Sequence, residues 1–219
     1  MKKILVVGLL CLVAVALPAC KFAGRGIAGS GNRKTEKRDL KPFKAIDTQG
    51  AYEIIVTCQK PASFEIEADD NILPLIKTDV RDGVLSVTSD ERYNAGKAVV
   101  LRITLPELTA VTSRGAGEVT IADANGDSLK IESMGAASVK AEGKVKAATI
   151  SSTGAGDIDA AKLQAATAKV SVTGAASVNV FASEQLDVNV TGVGSVNYSG
   201  NPKIVNKSVG GFGSVNKVD

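Results

Sequence analysis

Residues Val172–Tyr198 read "VTGAASVNVFASEQLDVNVTGVGSVNY", and within this stretch "TGAASVNV" is answered one line later by "TGVGSVNY". The same small-residue turn, followed by the same short β-type run, occurs six times in register. The first glycine of each turn is Gly115, Gly135, Gly154, Gly174, Gly192 and Gly211, a period of about 19 residues. Four positions beyond each stands a β-branched residue: Val119, Val139, Ile158, Val178, Val196 and Val215. Between the turns runs a second series, Ile131, Ile150, Val170 and Val188, with Leu129, Ala148, Ala168 and Leu186 two positions before. A period of two marks strands with one inward face. No window carries an apolar stripe of helical period.

About 19 residues at roughly 3.3 Å each trace a contour near 60 Å. That is too long for one strand and suits one coil of a solenoid, two or three short strands joined by corners. Antiparallel hairpins of the same period would share the alternation, but they do not explain a single repeated corner. The reading is therefore all-β, a right-handed parallel β-helix (β-solenoid) with coils of about 19 residues. Stacked coils place like residues over like at about 4.8 Å. Glycine at the corner permits positive φ or close backbone approach.

Composition fits a narrow core. Aromatics are 4% of the 219 residues, Trp and His are absent, and Gly contributes 22. Without His, the usual neutral-pH base and commonest metal ligand are missing, which removes Ser-His-Asp, Cys-His and His-zinc chemistry. Residues 21–44 hold eight Lys/Arg against Glu36 and Asp39, whereas 45–219 hold sixteen basic and twenty-one acidic residues. No basic patch with interleaved aromatics appears in the body, so a nucleic-acid partner is not expected.

The N-terminus "MKKILVVGLLCLVAVALPAC" has a charged start, an apolar stretch Ile4–Leu17 and a small-residue ending. These are the parts of an export signal, too short to span a bilayer comfortably. "LPAC" resembles a bacterial lipobox, although Pro18 departs from the commoner residue there. Residues 1–19 are read as a lipoprotein signal peptide and Cys20 as the lipid attachment site. Acyl chains on Cys20 would tie the chain to a membrane, each buried methylene contributing about 0.8 kcal/mol. Lys21, in place of the Asp that retains enteric-type lipoproteins at the inner membrane, leans the expectation towards the outer membrane. Residues 20–42 are expected to be a lipidated flexible tether, rich in Gly and charge. Residues 43–219 are expected to form a single domain, irregular over 43–113 and regular over 114–219. Cys58 then has no partner and reads as a buried small hydrophobe.

Gly50-Ala51 ahead of Ile54 and Val56, "RITLPELTAVTSRGAGEV" at 102–119, and the recurring Gly-x-Gly turns resemble the bacterial putative auto-transporter adhesin, head GIN domain family. The resemblance covers roughly 43–219 and implies a right-handed β-helix of the bacterial cell envelope, with no catalytic motif to carry over. Two turns depart from the strict pattern: "GAAS" at 135–138 and at 174–177 have Ala at the second Gly position. That points to a steric requirement, not to a phosphate cradle, which would also need a Lys and a following helix.

Asp157 and Asp159 share a face, but flanked by Ser, Asn and Lys they make a poor calcium cage or acid/base pair. Neither a cofactor nor a metal is expected. The surface feature left to test is a polar stripe, Ser177, Ser195 and Ser214 beside Asn179, Asn197 and Asn216. It could contact a glycan or an envelope protein, or simply suit a parallel ladder. The last turn, "GGFGSVNKVD", has no helical cap, so a second copy or a partner could pair with the end of the solenoid. The favoured reading is a non-enzymatic, membrane-anchored adhesin or binding module. An envelope structural or assembly module is the alternative, and a polysaccharide-active β-helix enzyme is less favoured.

Overall fold

A computed structural model describes residues 26–218; the signal peptide and Cys20 lie outside the described residues. In chain order the strands are β1 (Ile27–Ala28), β2 (Arg33–Lys37), β3 (Ala45–Thr57), β4 (Ser63–Asp69) and β5 (Ile76–Arg81). Then come β6 (Val84–Ser89), β7 (Tyr93–Asn94), β8 (Val99–Thr104), β9 (Ala110–Gly154) and β10 (Asp157–Gly174). The chain finishes with β11 (Ser177–Phe181), β12 (Gln185–Gly192), β13 (Ser195–Ser199), β14 (Ile204–Gly211) and β15 (Ser214–Lys217). A single 3-10 turn at Leu73–Leu75 stands between β4 and β5, and no α-helix occurs among the described residues. The regular part is built from β9 to β15.

In that part the pairing is parallel and its offset is the sequence repeat. Ile158 of β10 lies between Val139 and Val178, and Val178 in turn beside Val196. Val170 lies between Ile150 and Val188, and Ala168 between Ala148 and Leu186. All of these side chains are buried. Each buried Val, Ile or Leu contributes about 1.5–3 kcal/mol relative to exposure, so the columns are the main cohesive element of this part.

Gly115, Gly135, Gly154, Gly174, Gly192 and Gly211 stand over one another, above Gly50 of β3. Gly154 shows why only glycine serves: its φ is +126°, and an added Cβ would press into the carbonyl oxygen of Gly135. The same carbonyl accepts from the Ala155 amide at 2.8 Å.

Strand β3 differs. Gly50 pairs with Gly115 and Ile54 with Val119, an offset of several repeats instead of one. The chain leaves the parallel stack after Thr57 and builds the N-terminal end before it resumes at Ala110. On that side β3 pairs in parallel with β6 and β8, and antiparallel strands then close the sheet: β5 on β6, β4 on β8, and β2 on β4.

Strand β2 corrects the tether expectation. Residues 33–38 are part of the closed end because their charges find partners across it. Arg33 bonds Glu67 at 3.1 Å and the Ala98 carbonyl at 2.9 Å. Arg38 donates to the carbonyls of Ile76 and Leu73 at 2.8 and 3.2 Å. Lys37 meets Glu65 at 3.1 Å. The run keeps much of its exposure, but its charges complement the acidic residues of β4.

Glu67 also meets Arg102 at 3.4 Å, and its hydrogen bond from Arg33 holds its carboxyl below the usual range. A depressed folded pKa gives stability that is full above the unfolded value of about 4.3 and is lost as pH falls through the folded value. Protection factors of the β2 amides in hydrogen exchange are therefore expected to fall, relative to those of β10, below about pH 4. Equal behaviour of the two strands down to about pH 2 would refute this role for the pair.

The C-terminal end is closed differently. In the inward column Ile150, Val170, Val188, the next residue is Lys207, and in the column Val180, Tyr198, the next is Lys217. The Lys207 ammonium sits 4.9 Å from the centre of the Tyr198 ring and donates to the Val215 carbonyl at 3.2 Å. Lys217 donates to Asn201 at 2.9 Å. The backbone edge of β14 and β15 is free among the described residues, yet both of these columns end in a lysine.

Candidate functional site

The polar stripe is a ladder. Register places Ser177, Ser195 and Ser214 in one column and Asn179, Asn197 and Asn216 in the next. Asn197 Nδ2 donates to Asn179 Oδ1 at 3.1 Å, and Asn216 Nδ2 to Asn197 Oδ1 at 3.5 Å. Ser195 and Ser177 hydroxyls are 3.4 Å apart. Ser177, Asn179, Ser195 and Asn197 are half-buried, and Ser214 and Asn216 are exposed. Asn197 uses one amide donor on its neighbour and has a second to offer solvent or a ligand, whereas Asn216 also donates to Ser214 at 3.3 Å. Asp157 and Asp159 continue the columns at Ser177 and Asn179, with Lys140 beside Asp159. No group of three or more Cys, Asp or Glu side chains is placed to hold a metal among the described residues. Cys58 is fully buried, and burial pushes its thiol pKa up.

A second candidate lies at the first corner, where the sequence breaks its own rule. The residue paired with Gly117 is Tyr52, a large ring at the position of the second small residue. Its ring packs against Gly50, where a Cβ would come within 2.9 Å of Cε2. The segment 89–98 passes over this corner and is held there by β7, whose partner β1 forms a separate two-stranded ladder. The Ile27 amide donates to the Arg92 carbonyl at 2.9 Å and the Gly29 amide to the Asn94 carbonyl at 3.0 Å. Either side of the Tyr52–Tyr93 pair opens a cleft lobe, of about 690 Å³ beside Gln49 and Ser89 and about 450 Å³ beside Glu53 and Lys97. Tyr52 is 2% exposed. Its hydroxyl lies beside that of Tyr93 but has no hydrogen bond of good geometry among the described residues. Burial, with Tyr93 alongside, pushes the Tyr52 pKa far up, and burial raises that of Tyr93 as well. The phenol is thus a neutral donor at any physiological pH. The sequence carried a signal for this site, "GAYE" where the later repeat has "GAGE", but it needed the long-range register of β3 on β9 to be read.

Fold and surface together define an all-β protein of stacked parallel repeats, closed at one end by antiparallel strands and displaying columns of polar side chains. Residues 42–202 match the family model described as putative auto-transporter adhesin, head GIN domain, and the chain belongs to that family. Strands β1, β2, β14 and β15 fall outside the matched residues. Among solved structures, a putative adhesin from Bacteroides fragilis is 29% identical, with a TM-score of 0.74 over 88% of this chain and 100% of that one. A putative adhesin from Parabacteroides distasonis shares 18% identity and a TM-score of 0.61, over 88% of this chain and 100% of its own. A putative lipid binding protein from the same species shares 21% and 0.55, over 89% and 100%. The last two show the fold alone. No curated protein matches the chain.

Proposed function

We propose that the protein is a non-catalytic, lipid-anchored binding module of the bacterial cell envelope, an adhesin whose body is a right-handed parallel β-helix with one sequence repeat per coil. The observation that carries the reading is the parallel register across β9–β15, offset by one repeat at each step, which fixes exposed side chains in columns on a stiff surface. Family membership and the B. fragilis neighbour supply the adhesin reading. The partner is a glycan or an envelope or surface protein. The anchor is Cys20, facing the periplasm or the cell surface from the outer membrane.

Two measurements test it. Full-length protein labelled with radioactive palmitate should partition with membranes, and Cys20→Ser should lose both label and membrane association. Label retained by Cys20→Ser would place the anchor elsewhere. Protein starting at Lys21 and coated on a surface should retain cells or capture an envelope component in a saturable way. Absence of saturable retention across cells and extracts would overturn the binding reading.

A further inference from the structure

We propose that the cleft flanking Tyr52 and Tyr93 is a ligand site for a short neutral saccharide; the proposal rests on the binding-module reading above. Three observations carry it. The first is size: lobes of about 690 and 450 Å³ meeting at one aromatic pair fall within the range of small-ligand sites, about 300–1,000 Å³.

The second is charge. The lining holds four carboxylates, Asp90, Glu91, Glu53 and Glu118, and two cations, Arg92 and Lys97, and two lysines just outside it bring the charges level. Asp90 pairs with Lys77 at 3.1 Å and Glu118 with Lys140 at 3.3 Å, while Glu91 stands beside Arg92, and Glu53 shares its lobe with Lys97. A phosphate or sulfate would need surplus cations, and a metal ion would need surplus carboxylates. Apart from the two tyrosines, the uncharged side chains of the lining that make no hydrogen bond among the described residues are the amides of Gln49 and Asn94 and the Thr88 hydroxyl. A hydroxyl-rich ligand, donor and acceptor at nearly every carbon, complements such a lining.

The third is the orphan hydroxyl of Tyr52. A buried polar group without a partner is destabilising and is rare in native structures. It lies at the corner where the two lobes meet, under a segment tied down by the short ladder to β1. Displacement of the Tyr93 ring by a sugar would give the Tyr52 hydroxyl a partner and leave the Tyr93 face against the sugar's C–H groups.

The chain has three tyrosines and no tryptophan, so tyrosine emission reports largely on this cleft. Protein starting at Lys21 should bind neutral oligosaccharides on a glycan array, and titration with the best of them should change tyrosine emission saturably. Tyr93→Ala should weaken binding at least tenfold, about 1.4 kcal/mol. Tyr52→Phe removes only the hydroxyl, so it should weaken binding by a similar factor while leaving the melting temperature equal or higher. That opposite movement of affinity and stability is what a merely structural tyrosine would not give. Unchanged affinity in both variants would overturn the site. Array binding confined to anionic glycans, or none at all while cells are still retained, would overturn the saccharide assignment and leave the binding-module reading standing.

Discussion

Replacing both terminal lysines, in a Lys207→Val/Lys217→Val variant, is expected to convert the protein into a dimer joined through its C-terminal edge. Val at 207 continues the column Ile150, Val170, Val188, and Val at 217 follows Tyr198. The edge of β14 and β15 already offers unpaired backbone groups, with Ile204, Val209 and Phe212 exposed nearby, Phe212 at 91%. What opposes pairing in the wild type is charge. A second copy seated on this end would bury two ammonium groups from each side, at several kcal/mol per ion. An inward-facing charge is a known way for a protein to blunt a sheet edge. The product should be a closed dimer, because the opposite end of the molecule is covered by the antiparallel strands β2 and β5 and offers no matching parallel edge. Two C-terminal edges can meet only about a two-fold axis, and that contact does not propagate. Sedimentation velocity across a hundredfold concentration range decides the matter. A double variant that sediments as the wild type does at every concentration would show that the lysines do not guard this edge.

Gly154→Ala is expected to lower stability by about 3 kcal/mol or more, through strain in a backbone conformation that other residues rarely adopt and a clash with the strand below. At φ +126° the residue lies in a region populated almost only by glycine, and the new methyl group would meet the Gly135 carbonyl that already accepts from Ala155. Gly83→Ala is the internal comparison. Its φ of +75° is also positive, but nothing lies within 4 Å of an added Cβ, so it should cost only the left-handed penalty of about 1–2 kcal/mol. Urea unfolding of the two variants separates conformation from contact. Equal losses would mean that the stacked carbonyl is not the reason for the glycine column.

The regular half of the fold was legible because it is periodic: a residue pairs with its counterpart in the next repeat, so the sequence displays its own contacts. The N-terminal end was not, for the opposite reason. Arg33 finds Glu67 and Ala98 through antiparallel strands inserted between β3 and β9, and no repeat announces such a pairing. A basic, glycine-rich run then looks like a linker. Tyr52 and the two terminal lysines lie between these cases. Each is visible as a misfit in a column, "GAYE" against "GAGE", "IVNKSV" against "QLDVNV" and "SVNK" against "SVNY", but a misfit acquires meaning only once the register is known. The Ser and Asn columns were found where the alternation places them, and their mutual hydrogen bonds, which composition does not reveal, show that part of their polarity serves the stack itself.

The two-residue ladder between β1 and β7 has a mechanical consequence. Gly26, the first described residue, borders the larger cleft lobe, and the chain continues from it directly into β1. Pull on a ligand held there against an anchor on the N-terminal side, and the tension runs through the Ile27–Arg92 and Gly29–Asn94 bonds. The strands from β9 onward stay out of the line of force. Under such strain the molecule would yield first at its cleft, and the parallel stack would be spared the pull.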